Sequence, residues 1–330
     1  MMKNYQTALV TGASHGIGPY IVRALAKEGM NLVLAARSGQ ELEQVATAAD
    51  IRATGVHILT VPTDVTEREA RSALVHTAER TFGAVDVLVN NAGGDPQREF
   101  HHYTADDVEA LIQLNLTAPI ELTRLLLPGM LQRKQGHIVN ISSMGGRVGF
   151  PYTKVYSAAK DGLIGFTRVL RADYRKNGVS SSVLILGPIG GAGIGARTME
   201  EMNLHMSTMD RAFMSSPETV ARGVVKCIKR DKAEIVIMPG PGRLMRALMD
   251  LFPGIGSMMG QMSVHVMKQV VDFRQQQQGF SQMMRRVHLD CKSSFIESRS
   301  LEFFLREARM QRVEWIVKES KRPSGRRGEA

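Results

Sequence analysis

The sequence Thr11-Gly12-Ala13-Ser14-His15-Gly16-Ile17-Gly18 follows a strand-like run, Thr7-Ala8-Leu9-Val10, and leads into helical periodicity from about residue 17 to Gly29. No other feature limits the fold as tightly. A chain that turns from a buried strand straight into a helix needs positive φ or an absent side chain at the turn, and glycine supplies both. The helix N-terminus then stays open, with unpaired N–H groups and the positive end of the dipole, so a phosphate can approach bare backbone. The reading is a strand–turn–helix unit that takes the pyrophosphate of a dinucleotide at Gly12, Ser14, His15, Gly16, Ile17 and Gly18.

The rest of the chain repeats this alternation. Strand-like runs recur at Leu32-Val33-Leu34-Ala35-Ala36, at 56–61, at 85–89, at 137–141, at 182–186 and at 234–238, with helical stretches between them. Short apolar runs bounded by turns fit strands buried on both faces. Alternating β and α predicts a doubly wound α/β fold around a mainly parallel seven-stranded sheet. The pattern breaks at Pro239-Gly240-Pro241-Gly242, so the dinucleotide-binding domain is set at residues 1–240 and a basic, helical extension with a disordered end at 241–330.

Several further segments stand in a fixed order: Asp64-Val65 after the third strand, Asn90-Asn91-Ala92-Gly93 after the fourth, Asn115 on the next helix, Ser142-Ser143 ending the fifth strand, and Tyr156-Ser157-Ala158-Ala159-Lys160. Together with the G-x-x-x-G-x-G spacing of the first turn, these segments over residues 5–240 resemble the short-chain dehydrogenase/reductase family. The resemblance implies a Rossmann fold and an oxidoreductase that interconverts a carbonyl and a secondary alcohol. It implies a catalytic set of Asn115, Ser143, Tyr156 and Lys160. It implies nucleotide contacts at Asp64, Val65, Asn91, Ala92, Gly93, Tyr156, Lys160 and Ile189. Ser143 is preferred to Ser142 because its interval to Tyr156 matches the family's.

The chemistry of the set agrees. Reduction of a carbonyl needs a hydride at carbon, which the cofactor supplies, and a proton at oxygen. Tyr156 is the acid in reduction and the base in oxidation. A free phenol has a pKa near ~10. Lys160 lies one helical turn on, on the same face, and its ammonium, together with the positive nicotinamide ring, is expected to favour phenolate and lower that pKa. Ser143 would hydrogen-bond the substrate oxygen as charge develops there. Asn115 resembles the residue that holds a water behind the lysine.

The second strand ends in Ala36-Arg37-Ser38, where an acidic residue would favour the ribose 2′-hydroxyl of NAD. Arg37 offers a cationic fork to a 2′-phosphate and Ser38 a hydroxyl, which favours NADP(H) and leaves NAD(H) as a second cofactor. One departure from the family lies after the sixth strand. Gly191 stands where a Thr would meet the carboxamide, with Ile189 able to meet it through backbone and Thr198 as the alternative.

Methionines 199, 202, 206, 209 and 214 suit an adaptable apolar substrate surface, so a lipid-like or steroid-like ketone is the expected substrate, beside ordinary helix packing. His101 and His102 follow the Asn-Asn-Ala-Gly turn and read as exposed loop residues, with a place at the pocket rim as the alternative. The two cysteines, Cys227 and Cys291, lack metal-ligand spacing, and neither a disulfide framework nor a metal site is expected. No leader and no long apolar run appears, which reads as a cytoplasmic protein. Residues 281–330 hold five of the ten net positive charges. That tail is read first as packing or assembly into a dimer or tetramer, then as peripheral membrane contact. Nucleic acid is not an expected partner, since no aromatic-basic platform accompanies the charge. A non-catalytic nucleotide-binding scaffold on the same fold is the alternative function.

Overall fold

Parity along the strands builds the two layers. In the computed structural model, Ala8 and Val10 of β1 (Thr7–Thr11) pack into one apolar cluster and Leu9 into another. Strand β2 (Asn31–Ala36) divides in the same way, Leu32 and Leu34 against Val33 and Ala35. Successive strand side chains point to opposite faces, so a strand apolar at every position must be covered on both. Helix α1 (Gly18–Lys27) and helix α8 (Pro217–Arg230) cover one face with Ile21, Val22 and Leu25 beside Val220 and Val224. Helices α4 (Arg68–Phe82), α6 (Ala118–Gln132) and α7 (Lys154–Tyr174) cover the other with Leu74, Leu122, Leu126 and Leu170. Burial of each such leucine is worth roughly 2 kcal/mol, so the two clusters supply the main driving force for this architecture.

The structure describes residues 5–148, 150–192 and 214–239, together with residues 251, 252, 268 and 271. The chain separates into two units, Met1–Asp272 and Phe273–Ala330, and every described residue belongs to the first. The extension expected over 241–330, including its disordered end, lies almost wholly outside the described residues.

The remaining strands are β3 (Ile58–Pro62), β4 (Val87–Asn90), β5 (Gly136–Ser143), β6 (Val179–Leu186) and β7 (Glu234–Ile237). Among the described residues the sheet has seven strands, in the order β3-β2-β1-β4-β5-β6-β7. Every pair is parallel. Two short helices, α2 (Gly39–Ala46) and α3 (Ala49–Arg52), join β2 to β3, and α5 (Ala105–Ile112) precedes α6. The order reverses between β1 and β4, and at such a switch point the carboxyl ends of the strands open a crevice for a ligand.

The expected strands are all present, with shifted ends. The largest shift is in β6, which begins at Val179 rather than Ser182. The sequence reads Ser180-Ser181-Ser182 as polar, yet all three are buried because each hydroxyl has a partner. Ser181 Oγ donates to Thr167 O (2.8 Å) and Ser182 Oγ to Lys232 O (2.6 Å). A satisfied hydroxyl costs little to bury.

Candidate active site

The glycine turn closes against the turn after β4. Gly12 adopts φ +62°, and a Cβ there would fall 2.9 Å from Ala92 Cα, so only glycine allows the two backbones to meet. Thr11 joins them chemically. Its Oγ1 accepts from the backbone N–H of Asn91 and of Ala92, both at 3.0 Å, and the Asn91 amide donates to Thr11 O and Gly12 O. Thr11 was not among the expected contacts. The only signal in the sequence is a hydroxyl directly before the first glycine.

Ile17 is the N-cap residue of α1 and gives no side-chain cap; the Gly18 N–H donates to His15 O at 3.0 Å and Pro19 has no N–H, so the turn itself settles the first two positions of the helix. Ser14 Oγ lies 2.7 Å from His15 Nδ1, and His15 Nε2 lies 2.8 Å from Glu41 Oε1. Ser38 is the N-cap of α2, accepting from Glu41 N at 3.3 Å, so Arg37 and Ser38 stand at the junction of β2 and α2 as the sequence requires. Asp64 accepts from both N and Oγ1 of Thr66. Burial alone would raise its carboxyl, but those two bonds and the nearby Arg37 charge hold it below the ordinary range. Arg71, itself buried, donates to Val65 O at 2.7 Å and to Thr66 O at 2.9 Å and so fixes this turn. Nothing in the sequence marks that arginine.

Ser143, Tyr156, Lys160 and Asn115 come together at the carboxyl ends of β4 and β5. Ser143 closes β5, Tyr156 and Lys160 lie on α7, and Asn115 sits on a π-helical turn, Gln113–Thr117, between α5 and α6. Gly93 is the meeting point. A Cβ there would lie 2.9 Å from Asn115 Oδ1 and 3.2 Å from Lys160 Nζ. Asn115 accepts from Gly94 N (3.2 Å) and donates to Gly94 O (2.9 Å) and Leu111 O (3.0 Å). The wider π turn, common at functional sites, lets a fully buried asparagine face the Asn-Asn-Ala-Gly loop. Lys160 Nζ donates to Ile141 O at 3.0 Å and stands 5.6 Å from the Tyr156 ring centre. Ser142 has a different task, its Oγ donating to Lys160 O at 2.8 Å. Behind the site a buried chain runs from Asn90 to Asn140 to Thr167, with 2.8 Å at each step.

The expected lowering of the phenol includes the nicotinamide charge; in the protein alone, burial dominates. Burial pushes Tyr156 up to about 12; the Asp95 charge adds to this and a hydrogen bond with Ser143 opposes it. Lys160 is brought down to about 8 by burial. Loss of water around both groups sets both shifts, although the bond from the Lys160 ammonium to Ile141 O favours its charged form. In the protein alone Tyr156 is therefore a neutral phenol at pH 7, the form that can donate.

Ile189 forms a single parallel bridge with Ser215, flanked by Gly190 N to Ser215 O at 3.1 Å and Ser215 N to Pro188 O at 2.9 Å. Gly191 adopts φ +71°. A threonine would be strained in that backbone, which accounts for glycine there. Thr198 and the methionines at 199, 202, 206 and 209 lie outside the described residues. His101 and His102 are exposed, on a short 3-10 turn after Glu99.

A doubly wound parallel sheet with a glycine turn at its switch point, facing a buried tyrosine and lysine, defines an oxidoreductase built to hold a dinucleotide. The short chain dehydrogenase profile matches residues 6–203, and the chain belongs to that family. A ketoacyl reductase, HetN, of Nostoc sp. is 39% identical over 236 residues, 72% of this chain and 79% of that one. The D-beta-hydroxybutyrate dehydrogenase of Cupriavidus necator is 32% identical, covering 61% of this chain and 78% of its own. Among solved structures, a metagenomic short-chain oxidoreductase in complex with NADP superposes with a TM-score of 0.60 at 31% identity, covering 71% of this chain and 97% of that one. The actinorhodin polyketide ketoreductase with NADPH gives 0.63 at 30% identity, covering 73% and 99%.

Proposed function

We propose that the protein is an NADP(H)-dependent reductase of an apolar ketone, with 3-oxoacyl chains as the favoured class. The observation that carries this is the cluster of Ser143, Tyr156 and Lys160 held against Gly93 and Asn115 beside the nucleotide turn. Relatives named ketoacyl reductase, polyketide ketoreductase and hydroxybutyrate dehydrogenase support a carbonyl two carbons from a carboxyl or thioester. The metagenomic relative in complex with NADP supports the cofactor, as do Arg37 and Ser38 at the junction of β2 and α2.

NADPH, when bound, supplies the hydride. Tyr156 gives its proton to the carbonyl oxygen as the C=O π bond breaks, and Ser143 donates a hydrogen bond to the same oxygen. Lys160, still largely charged at pH 7 with its pKa at about 8, stabilises the phenolate that remains until solvent returns the proton. Asn115 keeps the Gly93–Gly94 loop in place through its two bonds to the Gly94 backbone, and a third to Leu111 O anchors it to α5. Among the described residues no helix is long and apolar enough to cross a membrane. Assembly into a dimer or tetramer and a supporting role for the 241–330 extension belong to the same proposal.

The test is oxidation of NADPH and of NADH with 3-oxoacyl thioesters, steroid ketones and small diketones, with Tyr156→Phe as the control. The expected outcome is NADPH turnover on 3-oxoacyl substrates, reduced by about 10²–10⁴-fold in the variant. NADPH binding with no turnover on any carbonyl, unchanged by the substitution, would favour a non-catalytic nucleotide-binding scaffold instead.

A further inference from the structure

Glu41 puts a carboxylate into the corner that Arg37, Ser38 and His15 would offer to a 2′-phosphate. Its place is fixed from two sides. Its backbone N–H donates to the Ser38 cap, and its Oε1 lies 2.8 Å from His15 Nε2. His15 is held in turn by Ser14 Oγ at 2.7 Å from Nδ1, so the imidazole spans from the glycine turn to the start of α2 with both nitrogens engaged. The second oxygen, Oε2, is shielded from solvent and has no donor among the described residues.

A buried carboxylate oxygen without a donor is costly unless something supplies one. The other charges at this corner are accounted for: Arg37 acts on Asp64, Asp64 is hydrogen-bonded to Thr66, and Glu43 is bonded to Thr60. A carboxylate in the first turn of a helix is favoured by the dipole, and a phosphate seeks the same helix end for the same reason. The His15–Glu41 pair is itself half-exposed, with side-chain exposures of 62% and 36%, so the bridge is weak enough to open.

We propose that Glu41 sets how far this enzyme discriminates between the 2′-phosphate and 2′-hydroxyl forms of its nicotinamide cofactor. It does so by occupying His15 in a bridge that a phosphate must displace, and by presenting an unpaired carboxylate oxygen that suits a hydroxyl donor. This rests on the cofactor reading above. It makes Glu41 a specificity residue, working against the phosphate preference that Arg37 and Ser38 confer.

Calorimetry with the full chain separates the two claims, using adenosine 2′,5′-bisphosphate and adenosine 5′-monophosphate as probes. The proteins are wild type, Glu41→Gln, His15→Ala and the double variant. Removing one like charge at this range tightens bisphosphate binding roughly five- to tenfold in Glu41→Gln and leaves the monophosphate within about twofold. The ratio of kcat/KM for NADPH over NADH rises by the same factor, through KM. In the His15→Ala background the gain from Glu41→Gln shrinks, because the bridge is already gone. Equal changes for both nucleotides, or none, would overturn the inference while leaving the cofactor reading intact. If wild type takes the monophosphate and rejects the bisphosphate, the NADP(H) reading fails; recovery of bisphosphate binding in Glu41→Gln would then still support the role of Glu41. Wild type that binds neither nucleotide would overturn both.

Discussion

Lys160 carries the cost of the active site in one side chain. Its ammonium is 4% exposed and donates to Ile141 O, and burial brings its pKa to about 8 against roughly 10.4 for an exposed lysine. Between those two values the unfolded chain binds more protons than the folded one, so stability rises with pH across that window. Below about pH 8 the folded protein bears the full penalty of a buried charge. Lys160→Met is therefore expected to abolish turnover and yet to raise Tm at pH 7, by about 2–4 °C for each kcal/mol recovered in a chain of this size. The gain should shrink as pH approaches 10. Thermal unfolding of both proteins at pH 7 and pH 10 checks the sign, and a Tm that falls equally at both would mean the side chain packs more than it strains. Turnover in the reductive direction should decline above about pH 8 as Lys160 loses its charge, since Tyr156, pushed up to about 12, remains protonated well beyond that point.

Among the elements, the junction of α7, β6 and α8 depends on Asp231, which ends α8 in the left-handed region at φ +46°. It accepts from Arg171 Nη1 at 2.7 Å, from Arg175 Nε at 2.8 Å and from Ser180 Oγ. Burial would raise this carboxyl, but the three bonds hold it far below the usual carboxylate range. A lowered folded pKa gives stability that is present above the unfolded value near ~3.9 and lost as pH falls through the folded one. Asp231→Asn tolerates the same backbone but replaces one accepting oxygen with an NH2 donor that faces the donors of Arg171, Arg175 and Ser180. It is expected to cost about 1–2 kcal/mol at pH 7, a figure held down by the 36% exposure of the side chain. Urea midpoints at pH 7 and pH 3 test this, because the gap between variant and wild type should narrow in acid. This network shows where the sequence stops being legible. The glycine turn, the parallel sheet implied by alternation and the Ser-Tyr-Lys spacing follow from local pattern. Asp231 with Arg171 and the Asn90–Asn140–Thr167 chain join residues far apart in sequence, and no period or spacing marks them. The π turn that presents Asn115 is hidden for the same reason, since its residues read as ordinary helix. For Tyr156 the spacing shows the lysine but not the depth of burial that raises the phenol in the protein alone.

For the molecule as a whole, the open question is where the catalytic unit ends. The break at Pro239-Gly240-Pro241-Gly242 sets a boundary near residue 240 on sequence grounds. The seven strands are complete at Ile237, and the family match ends earlier, at residue 203. Yet Val271 is fully buried and belongs to the same unit as the sheet, which runs to Asp272. An apolar side chain with no solvent exposure contributes about 1.5–3 kcal/mol through burial alone, and it cannot be hidden without neighbours that a chain cut at residue 240 would lose or expose. Two truncations separate the boundaries. A chain ending at Asp272 should keep the Tm and the kcat/KM of the full protein if the last unit serves assembly or surface contact rather than folding. A chain ending at Met238 should unfold at lower temperature, by several degrees, because the burial around Val271 is lost. If both truncations melt like the full chain, residue 240 is the true edge of the folding unit. Loss of a dimer or tetramer in the longer truncation, read by light scattering, would assign residues 273–330 to assembly. A retained oligomer with weaker binding to anionic vesicles would assign them to a membrane surface, where their basic charge is better suited than to any part of the reaction.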